Sequence, residues 1–169
     1  MLVSPEATAA LLGAAGGWIL GFFTDLARSE MLARRARRVA ALLVFAELTT
    51  NIAAVSALRK FGVWSTARIH RSAWEANGAA LLHRASLDRT GHLAQAYSSL
   101  EDVGFIAGES GRDFTSGDDA DFLDEVLMPL IFDGLREVGS LAGVEKAEVE
   151  SRIATSKRAM QGPPPPRRG

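Results

Sequence analysis

This 169-residue sequence predicts an all-α protein, an N-terminal transmembrane helix followed by a small cytoplasmic helical bundle. Three observations carry that expectation: an uncharged run of 18 residues near the N-terminus, an arginine cluster directly behind it, and apolar positions spaced three and four apart through the remainder. Composition agrees. The chain is 47% hydrophobic, and four of its six prolines lie in the run Pro163 to Pro166, so few interrupt the body.

The first element is residues 7 to 24, ATAALLGAAGGWILGFFT, bounded by Glu6 and Asp25. As a helix it measures about 27 Å, near the roughly 30 Å hydrocarbon core of a bilayer. A cleaved signal peptide would open with basic residues, and Met1 to Glu6 contain none. Residues 1–27 therefore read as a membrane anchor, with a soluble core helix beside a solvated arginine face as the competing reading. Gly13, Gly17 and Gly21 recur every four residues on one helix face, where two backbones approach closely in lipid, and predict self-association. Trp18, inside the run, reads as lipid-facing or packing bulk.

Next comes an Arg-rich juxtamembrane segment, residues 28–38, with Arg28, Arg34, Arg35, Arg37 and Arg38. Cytoplasmic flanks collect such charge, and anionic headgroups attract it, so these residues set topology and contact lipid. The expected location is the cell membrane, single-pass, with the C-terminal domain cytoplasmic. No aromatics interleave the cluster as a single-strand nucleic-acid platform requires, and the net charge is only -1, so no nucleic-acid partner is expected. That balance hides a gradient: residues 1 to 92 carry +5 and the remainder -6.

A helical bundle domain is expected over residues 39–142. Its first helix, 39 to 58, holds one charge, Glu47, and a seam of Phe45, Leu48, Ile52 and Val55. Glu47 and Asn51 are placed at the polar border of that seam. Read instead as a second span, 39–58 would pair with 7–24 in a helical hairpin turning through the arginines, giving a small membrane-permeabilising or channel-forming oligomer. Arg59, Lys60 and Gly62 supply a helix end. FGVWST then reads as a loop carrying Trp64.

Ser72 predicts an N-cap with Glu75 completing a capping box, for a helix whose face holds Trp74, Gly78, Leu81 and Leu82. A further helix from Ser86 runs through Leu93, Ala96, Tyr97, Leu100 and Val103. Residues 108–118 read as an exposed loop. The stripe Leu123, Leu127, Leu130, Gly134, Val138 and Leu141 predicts another helix, kinked or broken at Pro129. An amphipathic C-terminal helix, 143–161, is mostly polar and expected to fray, and a Pro/Arg disordered tail, 162–169, follows.

Three short motifs, AELTTN around Glu47 and Asn51, AWE with Trp74 and Glu75, and AQAY ending at Tyr97, follow the apolar run. In this pattern the chain resembles uncharacterised bacterial membrane-anchored helical proteins. The resemblance implies the architecture and carries no activity.

Catalytic chemistry has little support. Without cysteine there is no thiolate site or cysteine nucleophile, and His70, His83 and His92 lack zinc-motif spacing. The acidic cluster Asp118, Asp119, Asp121, Asp124 and Glu125 fails as a calcium loop, since a register starting at Asp113 lacks the Gly at position six and the Glu at twelve. No phosphate-binding or nucleophile-elbow motif occurs. The expectation is a noncatalytic interaction or scaffold protein without cofactor or metal. Its partners are membrane lipid, further copies of itself and an unknown cytoplasmic protein, with Trp64, Trp74 and Tyr97 as candidate contact or core aromatics.

Overall fold

A computed structural model describes residues 5–62, 69–82, 87–109 and 114–161, with the side chains of 5–17, 19, 20, 87–90 and 109 left undescribed. The described residues are all-α: α1 (Pro5–Phe61), α2 (Ser72–Leu82), α3 (Leu87–Glu109), α4 (Asp118–Phe122), a π-helical turn (Leu123–Leu127), α5 (Met128–Ala142) and α6 (Lys146–Gln161). They fall into two compact units, residues 1–36 and 37–169.

The first unit is the N-terminal part of α1. Its described side chains from residue 21 to 36 are all exposed, among them Phe22, Phe23, Leu26, Met31 and Leu32, and Trp18 is exposed too. Trp18 stacks on Phe22 with ring centroids 6.0 Å apart. By length and composition α1 is apolar enough to cross a membrane, yet 56% of its most apolar described stretch is buried inside the protein. The helix runs without a turn through residues 25 to 38.

In the second unit the expected seam is the core. Phe45, Leu48, Ile52 and Val55 are buried with Ala41, Val44 and Leu58, against Leu93, Ala96, Tyr97, Leu100 and Val103 of α3. Gly62 ends α1 in the left-handed region (φ 63°), its amide donating to Leu58 O at 2.8 Å, which a side chain would strain. Arg38 reaches from α1 to donate to Ala142 O at 3.0 Å, filling a carbonyl left open at the end of α5.

Helix α5 lies close on α3. A Cβ on Gly134 would sit 2.3 Å from Ala96 Cβ, so glycine is what lets the two backbones approach. Pro129 does not interrupt the helix: residues 118–142 are helical without a gap. The turn before it opens to π geometry, Met128 N–H bonding back to Leu123 O, and a residue without an amide hydrogen is accommodated just inside α5. Two loop and tail expectations also change. Phe114 is buried rather than part of an exposed loop, and α6 packs on the bundle through Val149, Ile153 and Met160 instead of fraying.

Candidate functional site

The most organised polar cluster of the bundle centres on Glu47. Its neighbours on α1 are core residues, and the helix carries its carboxylate into the interior, where the residue is only 8% exposed. Such a group needs donors, since an ionised carboxylate without them is costly to bury. Four are supplied. Tyr97 OH donates to Oε1 at 2.7 Å, Ala73 N to Oε2 at 2.7 Å, Trp74 N to Oε1 at 3.1 Å and Ser72 Oγ to Oε2 at 3.3 Å.

Two of those donors are amides of the first turn of α2, which have no partner within their own helix. Glu47 thus does from α1 what an N-cap side chain does locally, with a negative charge at the positive end of the helix. The expected local capping box does not form. Ser72 is already helical and gives its hydroxyl to Glu47, while exposed Glu75 meets Arg71 at 3.7 Å. A carboxylate presented by the core reaches both amides, and the local glutamate is left for the surface.

One turn further on, Asn51, 1% exposed, clamps the chain entering α2. Its Nδ2 donates to His70 O at 2.8 Å and its Oδ1 accepts from His70 N at 2.9 Å. The pair therefore sits inside the bundle, not at the border of its apolar face. Trp74 stacks on Tyr97 at 4.8 Å and 13° and covers Gly78, where an added Cβ would meet the indole at 3.2 Å. Arg71 pairs with Glu101 of α3. Burial, reinforced by the hydrogen bond and charge of Glu47 and opposed by Arg71, raises the Tyr97 hydroxyl far above its usual range. It stays a donor.

Glu47, Asn51, Trp74 and Tyr97, from three separate motifs, thus meet in one place, and Glu75 stands outside the hydrogen bonds. The cluster is saturated by its own protein donors, which makes it a structural lock between α1, α2 and α3. Trp64 and His83 lie outside the described residues. Gly13 and Gly17 lie on α1 where side-chain surroundings are not described, and Gly21 has open space, with nothing within 4 Å of an added Cβ. Arg28, Arg34 and Arg35 are exposed, Arg34 pairing with Glu30 at 3.3 Å, whereas Arg37 is half-buried and Arg38 is engaged with α5.

Sequence reasoning missed Arg59. It donates from Nε to Asp124 Oδ2 at 2.9 Å and to Thr115 O at 2.7 Å, tying the end of α1 to the π-helical turn and the loop before α4. A basic residue closing a helix gives no hint of a partner 65 positions away. Among the described residues no group of three or more His, Asp or Glu side chains is arranged to hold a metal ion. No family model, curated protein or solved structure matches the chain.

Proposed function

We propose that the chain is a membrane-tethered, noncatalytic interaction protein: the start of α1 anchors it, the bundle faces the cytoplasm, and copies associate through Gly13, Gly17 and Gly21. One observation supports this reading above the others. Trp18, Phe22 and Phe23 at the end of the uncharged run 7–24, and Leu26 just after it, are 49% to 74% exposed, just ahead of the arginines. Covering a side chain of this kind is worth about 1.5–3 kcal/mol, and a bilayer covers all four. Arg28, Arg34 and Arg35, exposed at the next turns, suit the cytoplasmic headgroups.

The scaffold part of the reading rests on the Glu47 cluster, whose hydrogen bonds go to its own chain and which holds a surface rather than opening a reaction site. Expression of the full chain and of a form lacking residues 1–27 tests the anchor. Full-length protein stays in the membrane pellet through alkaline carbonate washing, and the shortened form moves to the supernatant with its helical content intact. A full-length chain released by carbonate contradicts the reading. Association is tested by Gly17→Leu, which places a branched side chain in the contact face, against Gly16→Leu, about 100° round the helix. Membrane crosslinking then yields monomer for the first and the native oligomer for the second, and equal behaviour removes the glycine face from the proposal.

A further inference from the structure

Inside the bundle unit, α1 is apolar on two sides. Ala41, Val44, Leu48 and Val55 form the buried side, and on the opposite side Val39, Leu42 and Leu43 stand 57%, 43% and 51% exposed. The positions Val39, Leu43, Ala46, Thr50, Ala53 and Ala57 on that side repeat at spacings of four, three, four, three and four, the seam by which one helix packs along another. This seam holds no charge, because Glu47, the one charged residue between 39 and 58, is turned into the bundle. The Thr50 hydroxyl is spent on Ala46 O at 3.0 Å.

The two ends of the seam differ in shape. Its first turn presents the branched side chains of Val39, Leu42 and Leu43. At its other end Ala53 and Ala57 face Thr155 and Ala159 of α6 across a groove of about 330 Å³. Hydroxyls lining the groove are also occupied, Ser56 with Ile52 O and Thr155 with Ser151 O, each at 2.8 Å. Leu42 lies on the groove's side of α1, because Ala53 and Lys60, which line the groove, follow it by 11 and 18 residues, about three and five helical turns. One face of one chain thus offers both the knobs and the hole.

A two-fold axis crossing α1 between Ala46 and Thr50 brings them together. From this we infer that a second copy of the chain pairs antiparallel on this face, Leu42 and Leu43 of each copy entering the groove of the other, with Val39 opposite Ala57 and Ala46 opposite Thr50. A parallel pair sets leucine on leucine and leaves both grooves unfilled, so shape selects the antiparallel one. The seam buries no charge, and about a dozen residues per copy, against roughly 20–30 a side in a standard interface, makes the contact weak and reversible. The two copies of Arg37, where the bundle unit begins, lie at opposite ends of the pair. Combined with the anchor proposed above, that joins copies held in facing membranes, whereas the glycine face joins copies within one; the pairing itself does not rest on the anchor.

The native chain lacks cysteine, so engineered thiols report on the pairing cleanly. Full chain carrying Gly17→Leu, which takes the glycine face out of play, is made with either Val39→Cys or Ala57→Cys, and the two are mixed in detergent under mild oxidation. Across an antiparallel pair positions 39 and 57 meet, while the two copies of position 39 stand about 27 Å apart along the helix. The mixed disulfide therefore forms at least tenfold faster than either like pair. Leu43→Glu in both chains puts a charge into the groove and lowers the mixed rate at least tenfold, with helical content by circular dichroism unchanged at this exposed position. Predominance of like pairs, a mixed rate no faster than theirs, or a mixed rate that Leu43→Glu leaves intact overturns the inference. A chain that carbonate releases from the membrane but that still forms the mixed disulfide counts against the anchor and for the pairing.

Discussion

From residue 18 to 32, α1 leaves Trp18, Phe22, Phe23, Leu26, Met31 and Leu32 between 49% and 74% exposed, whereas from 40 to 58 the same helix buries Ala41, Val44, Leu48 and Val55 completely. Both stretches carry large apolar residues, so the presence of such residues alone does not separate them. The second stretch carries polar groups that need partners, and α2 and α3 bring those partners as part of the fold. Hydrophobic length nominates a helix for the membrane, and what the rest of the chain does for its polar groups decides which stretch is left over.

The largest expected effect comes from the group that distinguishes the bundle stretch. Glu47→Ala leaves the amides of Ala73 and Trp74 and the Tyr97 hydroxyl without their acceptor, at a cost of about 3–4 kcal/mol. Denaturant melts of the bundle should show that loss, and hydrogen exchange should rise first at the start of α2. Unchanged protection there breaks the account of Glu47 as the cap of α2.

One substitution made in each region sharpens the contrast. Gly134→Ala drives a methyl group into Ala96 and the His92 carbonyl, costing about 1–3 kcal/mol by overpacking. Gly21→Ala meets open space within its own chain and gains helix propensity, so bundle stability is unchanged. Thermal melts of the two variants should separate clearly, and coincident melts would remove the tight α3–α5 crossing from the description.

A smaller effect is expected at the edge of the polar cluster. Tyr97→Phe keeps the ring stack on Trp74 but removes one donor from Glu47, which still holds Ala73, Trp74 and Ser72. The loss should be about 1–2 kcal/mol, measured by denaturant unfolding. A loss as large as that of Glu47→Ala would mean that the hydroxyl, not the helix amides, dominates the lock.

The smallest effect is at the surface. The hydrogen bond from Arg136 holds the Glu150 carboxyl below its usual range. A carboxyl with a depressed folded pKa adds stability above its unfolded pKa and loses it as pH falls through the folded value. Glu150→Gln should therefore flatten a slight acid-side decline in melting temperature and change nothing at neutral pH beyond a small loss. The pair is exposed and screened.

Much of the fold was legible because helix periodicity is local. The seam Phe45, Leu48, Ile52 and Val55, the α3 face from Leu93 to Val103 and the stop at Gly62 follow from spacing and one glycine. The polar cluster was legible only as three unconnected motifs. Glu47 meets donors 25 to 50 residues away, and no periodicity reports which helix end a buried carboxylate will cap. Ser72 and Glu75 gave a plausible local cap that the distant acid displaced. Pro129 signalled disruption, but whether a helix breaks or opens by one π turn depends on the packing of Leu123 and Leu127 on either side, both of which are buried.

The contrast within α1 is tested most directly by water access along it. Single cysteines at Trp18, Ala33 and Phe61, in a chain with none of its own, are treated with a membrane-impermeant thiol reagent in intact and in opened vesicles. Ala33→Cys and Phe61→Cys should react from the same, cytoplasmic side, and Trp18→Cys should stay protected until detergent dissolves the bilayer. Labelling of Trp18→Cys at the rate of Ala33→Cys in intact membranes, or Ala33→Cys and Phe61→Cys on opposite sides, contradicts the assignment of one stretch to the membrane and the other to the core.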